Sequence, residues 1–170
     1  MEFLDLLKGR RSIRQYHSRE VEKEKIDTIL EAAQWAPSAS NKQPWHFIVI
    51  QDKATRKRLG QIHSHGRFME EAPVVIVVLG NPEAHPKYYL CDPHQAVQNI
   101  LLTAFWLGLG SCWMGVRGAP FENEIKELLE VPQGLTVICT VSIGYSDQKR
   151  ESTRYPLSEL VSWESYGKTD

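Results

Sequence analysis

The sequence predicts an α+β protein built of mixed α/β layers, and three observations carry that reading. Four short runs have strand character: Trp45–Ile50, Val74–Leu79, Ser111–Val116 and Thr136–Ile143. Between and before them lie stretches with apolar residues at helical spacing. The 170 residues are 42% hydrophobic and 24% charged, a globular composition of ordinary single-domain size.

Taken in order, residues 1–8 read as a short helix with Phe3, Leu4, Leu6 and Leu7 apolar. Glu22–Trp35 places Ile26, Ile29, Leu30 and Ala33 on one helical face, and Pro37 ends it. Trp45–Ile50 is an apolar, β-branched strand, and Ala54–His63 is a helix. Val74–Leu79 has the β-branched density of a strand buried on both faces. Asp92, as an N-cap, or Pro93 opens a long apolar helix that ends near Gly108. Ser111–Val116 is a short strand, and Pro120 begins the helix Phe121–Leu129. Thr136–Ile143 is a last strand closed by Gly144, followed by a polar tail, residues 147–170, with an apolar patch at Leu157, Leu160 and Val161. Strands alternating with helices imply a mixed sheet. Four strands cannot cover the Gln95–Leu107 helix on every side, so a large interface between two copies, an obligate homodimer, is expected.

Composition excludes several functions. The net charge is −1 and the pI about 6.6, so no global basic field points to nucleic acid or to a membrane surface. The cations are nonetheless clustered, at Arg10, Arg11 and Arg14 and again at Lys149, Arg150 and Arg154, which suits a small anionic ligand. Cys91, Cys112 and Cys139 are odd in number and widely spaced, against a disulfide framework or a zinc site. The first fourteen residues lack the apolar core of a signal peptide, so a cytoplasmic location is expected. Gln95–Val116 contains no charge and is long enough to span a bilayer. Its Gln, Asn and Thr residues and Gly108 and Gly110 favour a buried helix, a turn and a strand instead.

Four motifs carry possible chemistry. Arg10-Arg11-Ser12-Ile13-Arg14 offers guanidinium forks and a hydroxyl, the groups that bind phosphate bidentately; a solvated basic turn would look the same. Ala36-Pro37-Ser38-Ala39-Ser40-Asn41-Lys42-Gln43-Pro44-Trp45 is a stiff loop with exposed amides that can lie against a planar polar ring, or simply join helix to strand. Gly108-Leu109-Gly110-Ser111-Cys112-Trp113-Met114-Gly115 lets backbone approach a ligand, but it lacks the third glycine and the strand-first context of a dinucleotide fingerprint. Arg154-Tyr155-Pro156-Leu157 is a basic tail. His63-Ser64-His65 has poor geometry for a metal and reads as surface; Cys91-Asp92-His94 is unsuited to a nucleophile pair. Trp35, Trp45, Trp106 and Trp113 read as core or interface. No metal site and no catalytic side chain is expected.

In order and spacing, these four motifs resemble those of the FMN-dependent nitroreductases, in particular the short members. The similarity runs from Leu4 to Leu160 and includes the Ala72-Pro73-Val74 strand entry and the Gln98-Asn99 helix. The resemblance implies a mixed sheet flanked by helices in an interlocked homodimer, with FMN at the interface and the 147–170 tail packed on the partner. It implies that Arg10 and Ser12 hold the FMN phosphate with Arg154, that Arg11 lies beside them, and that Arg14 reaches the pyrimidine edge, where it would stabilise charge on the reduced ring. It implies that Pro37, Ser38, Ala39, Ser40 and Asn41 come from the other subunit, and that Met114 and Gly115 run beside the flavin with a backbone N–H towards N5. NADH or NADPH would deliver hydride and a nitroaromatic, quinone or similar planar acceptor would remove it, in ping-pong fashion. The chain departs from the family where an Asn, Gln or Lys usually precedes the Ala-Pro-Val strand. It has His65, Gly66, Arg67 and Phe68 there, with His65 or Arg67 as substitutes. Two other readings remain open at this level: a non-catalytic FMN-binding or storage module, and a specialised flavin enzyme for flavin cleavage or dehalogenation.

Overall fold

A computed structural model describes residues 2–168. The helices are α1 (Phe3–Gly9), α2 (Lys23–Gln34), α3 (Lys53–Ile62), α4 (Asp92–Trp106), α5 (Glu122–Leu128) and α6 (Leu157–Leu160). The strands are β1 (Trp45–Ile50), β2 (Val74–Gly80), β3 (Gly110–Gly115) and β4 (Thr136–Gly144). They form one sheet in the order β1-β2-β4-β3.

β2 and β4 occupy the centre, and their Val/Ile density follows from burial on both faces. Because side chains alternate across a strand, Val74, Ile76 and Val78 face one core and Val75, Val77 and Leu79 face the other. The first core is closed by α2 and α4 through Ile26, Ile29, Ala33, Ala96, Ile100 and Ala104. The second is closed by Leu59 of α3, Met69 and Ile125 of α5. The result is three layers, helix on sheet on helix.

The mixed sheet expected from strand–helix alternation takes a different form. All three strand pairings are antiparallel, and parallel pairing is confined to a bridge between Ser12 and Ser111. The crossover through α4 does join two strands of the same direction, β2 and β3. β4 then inserts between them, so the parallel strands are never neighbours.

α4 ends at a turn that requires positive φ. Gly108 has φ 78, its N–H reaches the Phe105 carbonyl at 3.0 Å, and Leu109 N–H reaches the Ala104 carbonyl at 2.8 Å. At the other end Asp92 is not the cap. Cys91 holds that position without a side-chain bond, and Asp92 lies inside the first turn, buried. Only the inner face of α4 is covered: Trp106 is 59% exposed, and Trp35, just after α2, is 77% exposed. Residues 151–168 are exposed throughout, including Leu157, Leu160 and Trp163. Among the described residues no helix is long and apolar enough to cross a membrane.

Candidate functional site

The Arg10–Arg14 segment is extended and lies along the outer edge of β3. Ile13 N–H donates to the Ser111 carbonyl at 2.9 Å, beside the Ser12–Ser111 bridge. Gly110 makes this approach possible, since a Cβ there would come within 2.7 Å of the Ile13 side chain. The opposite side of the segment is held by the tail: Arg14 N–H donates to Gln148 Oε1 at 2.9 Å, and His17 N–H to the Tyr145 carbonyl at 2.8 Å.

Alternation along an extended chain then sorts the side chains. Arg10, Ser12 and Arg14 lie near the buried Cys112, together with Arg150 of the tail. Burial raises the Cys112 thiol above its usual range, and the cations oppose that shift. Arg11 stands beside Arg10, but its side chain is occupied by backbone carbonyls. Its Nε donates to the Arg150 carbonyl at 3.1 Å, and its Nη1 to the carbonyls of Lys8 and Arg10 at 2.5 and 2.8 Å. Arg11 is thus a brace between the two ends of the chain. Arg154 is exposed and donates to Ser152 Oγ and the Thr153 carbonyl. Burial, then the charges of Arg11 and Arg154, hold the Arg10 guanidinium below its ordinary value. Among the described residues no carboxylate forms a salt bridge with Arg10, Arg14, Arg150 or Arg154. Arg10 is half-buried and Arg14, Arg150 and Arg154 are exposed, so the cluster is a patch of like charge at the surface that an anion would relieve.

Farther along β3 the backbone itself becomes available. In an antiparallel ladder, alternate residues turn both polar groups to the partner strand. Val116 N–H goes to the Ile138 carbonyl of β4 at 3.1 Å, whereas the Ser111 carbonyl goes outward to Ile13. By this parity Ser111, Trp113 and Gly115 direct N–H and C=O to the free edge. The Gly115 carbonyl is met by His63 Nε2 at 3.1 Å. Gly115 is exposed, and a Cβ there would meet nothing within 4 Å. Its N–H is therefore open to a ligand, while the Met114 side chain is buried beneath it.

The expectation that His63 and His65 both lie at the surface holds for His65 alone. His63 is buried, 4.7 Å from the Phe121 ring. Sequence spacing misses this because α3 ends one residue earlier and the chain turns inward. The turn leads to Phe68, whose ring centroid is 5.8 Å from the Arg14 guanidinium. A cleft of about 640 Å³ beside the arginine cluster is lined by residues that include Arg14, Arg67, Gln61, Phe68, Glu70 and Glu71.

The 37–41 loop is strained. Ser40, Asn41 and Gln43 all have φ near +50° (51, 54 and 48). Such non-glycine residues cost about 1–3 kcal/mol each and persist only when their surroundings enforce them. Ser38 Oγ accepts from Gln43 N–H at 2.9 Å, and Asp92 Oδ2 accepts from Ala39 N–H at 3.0 Å. Pro37, Ser40 and Asn41 are exposed and Ser38 and Ala39 half-buried. Asp92→Ala is expected to leave the Ala39 amide unpaired and lower stability by about 1–3 kcal/mol. Thermal unfolding of the FMN-free protein checks this, at about 2–4 °C per kcal/mol for a chain of this size.

Asp92, His63 and Arg150 are the site residues that sequence reasoning missed. Arg150 was signalled by its basic cluster. Asp92 and His63 depend on contacts across the fold. Among the described residues no group of three or more His, Cys, Asp or Glu side chains gathers that could hold a metal ion.

The molecule is thus an α+β protein with a guanidinium-rich, free sheet edge. The sequence model of the nitroreductase family matches residues 7–65 and 63–145. A protein of Archaeoglobus fulgidus, provisionally named NADH dehydrogenase/NAD(P)H nitroreductase, is 40% identical over 156 residues, covering 88% of each chain. The FMN reductase [NAD(P)H] of Bacillus subtilis is 29% identical over 97% of this chain and 74% of its own. Among solved structures, an FMN-dependent nitroreductase of Clostridium difficile R20291 superposes with a TM-score of 0.90 at 37% identity, covering 96% of this chain and all of its own. The chain belongs to the nitroreductase family.

Proposed function

We propose that this protein is an NAD(P)H-dependent oxidoreductase that uses FMN and works as a homodimer, reducing a small planar acceptor such as a nitroaromatic or a quinone. The observation that carries the reading is the convergence of Arg10, Arg14, Arg150 and Arg154, from both ends of the chain, on one sheet edge without a carboxylate partner. The relatives named for FMN and NAD(P)H support the same chemistry.

The residues present fit the cofactor. Arg10, Ser12 and Arg154 hold its phosphate end, with Arg150 adding charge. Arg14, poised over Phe68, is available to the electron-rich edge of the ring, where a fixed cation stabilises the charge of the reduced state. Met114 and Gly115 lie alongside, and the open Gly115 N–H serves as the donor towards N5. His65 is exposed on the segment that carries Phe68 and is assigned to the ring's polar rim. When bound, FMN supplies hydride transfer between nicotinamide and acceptor; the protein supplies position, charge and exclusion of water.

The second subunit completes the site. In one protomer the 37–41 loop sits at the start of α4 and the Arg10–Ser12 segment at its end, separated along 15 residues by about 22 Å. Pro37, Ser38, Ala39, Ser40 and Asn41 are assigned to the partner's site. The exposed apolar residues of α4 and of the 151–168 tail form the interface.

The test is anaerobic titration of FMN-loaded protein with NADH and with NADPH, followed by an acceptor. Loss of the visible flavin absorption, its return on adding a nitroaromatic or quinone, and parallel double-reciprocal lines are expected. Bound FMN that neither nucleotide reduces would instead mark a storage module.

A further inference from the structure

Gly115 has no side chain to anchor it, and its surroundings leave room for one. Glycine is the residue most free to change φ and ψ. Something other than packing must therefore set the direction of its peptide groups. On the β4 side, Val116 N–H is tied to the Ile138 carbonyl at 3.1 Å. On the free side, among the described residues, the partner is His63, whose Nε2 lies 3.1 Å from the Gly115 carbonyl.

The imidazole is itself fixed. Its Nδ1 accepts the His65 backbone N–H at 3.3 Å, so the ring proton resides on Nε2 and is donated to Gly115. The ring is buried against Phe121. Burial, with a contribution from His65, holds His63 below its ordinary value against the opposing pull of the Gly115 bond, which keeps it neutral at neutral pH. One ring thus links the end of β3 to the turn that leads to Phe68 and Arg14.

We propose that His63 is a positioning residue: its Nε2–H···O bond and the Val116–Ile138 bond clamp the peptide that follows Gly115 from both sides, which restricts the torsion of Gly115 and through it holds the N–H of the preceding peptide towards the flavin. This rests on the assignment of Gly115 to the flavin in the proposed function. It explains how a short chain lacking the usual Asn, Gln or Lys before β2 can still control the redox-active face of the ring. The control is indirect, through backbone held by a buried histidine.

The test uses full-length, FMN-loaded protein with His63→Phe, His63→Leu, His63→Gln and Gly115→Pro. Phenylalanine and leucine keep a buried apolar side chain without a donor; glutamine can donate again. Proline removes the Gly115 N–H, which points away from β4, so the ladder stays intact. Two quantities are read: the midpoint potential of bound FMN, and the stopped-flow rate of its reduction by NADH. In H63F and H63L the potential is expected to fall and the rate to drop by about tenfold or more, the scale at which supporting-shell losses act. H63Q should restore both, and G115P should lower both. Affinity for FMN should change little in the His63 variants, because the arginine contacts are untouched. Should H63F fail to fold, H63L supplies the same comparison. Wild-type potential and rate in a folded H63F or H63L would overturn the proposal, as would H63Q matching them in defect. If G115P is also indistinguishable from wild type, the assignment of Gly115 itself fails. If G115P is altered and the His63 variants are not, the role of His63 alone fails.

Discussion

Arg10→Ala is expected to weaken FMN binding by about 1.5–3 kcal/mol, raising Kd about 10- to 150-fold, while leaving riboflavin binding nearly unchanged. The two ligands differ only in the phosphate, so the comparison isolates the contact in question. Arg10 is half-buried, stands among Arg11 and Arg154, and is held below its ordinary value by burial and by those charges. A phosphate dianion relieves that repulsion and accepts bidentate bonds, whereas water does only part of this. Arg10→Lys should recover part of the loss, since a point charge lacks the planar fork. The affinities are measured by flavin fluorescence quenching or calorimetry. Equal weakening of FMN and riboflavin by R10A would mean that Arg10 supports the fold and does not bind the phosphate.

The second large effect concerns assembly. Leu157 and Leu160 on α6 are 75% and 62% exposed, at helical spacing on a tail that is exposed from residue 151 to 168. Burying such a pair in a subunit interface contributes about 1.5–3 kcal/mol per side chain. Replacing both by glutamate reverses that gain in both copies and sets charges against apolar surface such as Trp106 and Trp35. The double variant should be a monomer of 19.5 kDa, whereas the natural chain is expected to sediment at about twice that mass. It should also lose FMN, because the arginine cluster would be parted from the partner's 37–41 loop. Sedimentation with absorbance at flavin wavelengths reads both quantities together. A dimeric L157E/L160E protein that retains FMN would remove the tail from the interface.

Much of the fold was legible because hydrophobic periodicity is a local property. The four strands begin and end within one residue of the runs Trp45–Ile50, Val74–Leu79, Ser111–Val116 and Thr136–Ile143. The inner face of α2, with Ile26, Ile29 and Ala33, was equally plain. Sheet order was not, because nothing in the strands themselves says that β4 enters between β2 and β3. The site divides in the same way. Arg10, Ser12 and Arg14 announced themselves by residue type. That the Arg11 side chain is occupied by backbone carbonyls was not legible, because one of them belongs to Arg150 at the far end of the chain. Asp92 looked like a helix cap because Asp before Pro at a helix start usually is one; the half-buried amide of Ala39 changes its role. His63 drew notice only as half of a poor metal pair and read as surface, whereas it is buried. Its importance lies in the register of β3, which turns the Gly115 carbonyl outward to meet it.

If each site takes its arginines from one subunit and its loop from the other, a mixed dimer can separate the two contributions. One protomer carries Arg10→Glu, the other Ser40→Trp, which fills the exposed loop where the flavin ring would lie. Neither homodimer should bind FMN. In the heterodimer, both lesions fall in one site, and the other joins the intact arginines of one chain to the intact loop of its partner. One FMN per heterodimer, reducible by NAD(P)H, is the predicted result. A heterodimer that binds none, while the unsubstituted dimer binds two, would place the whole site within a single subunit.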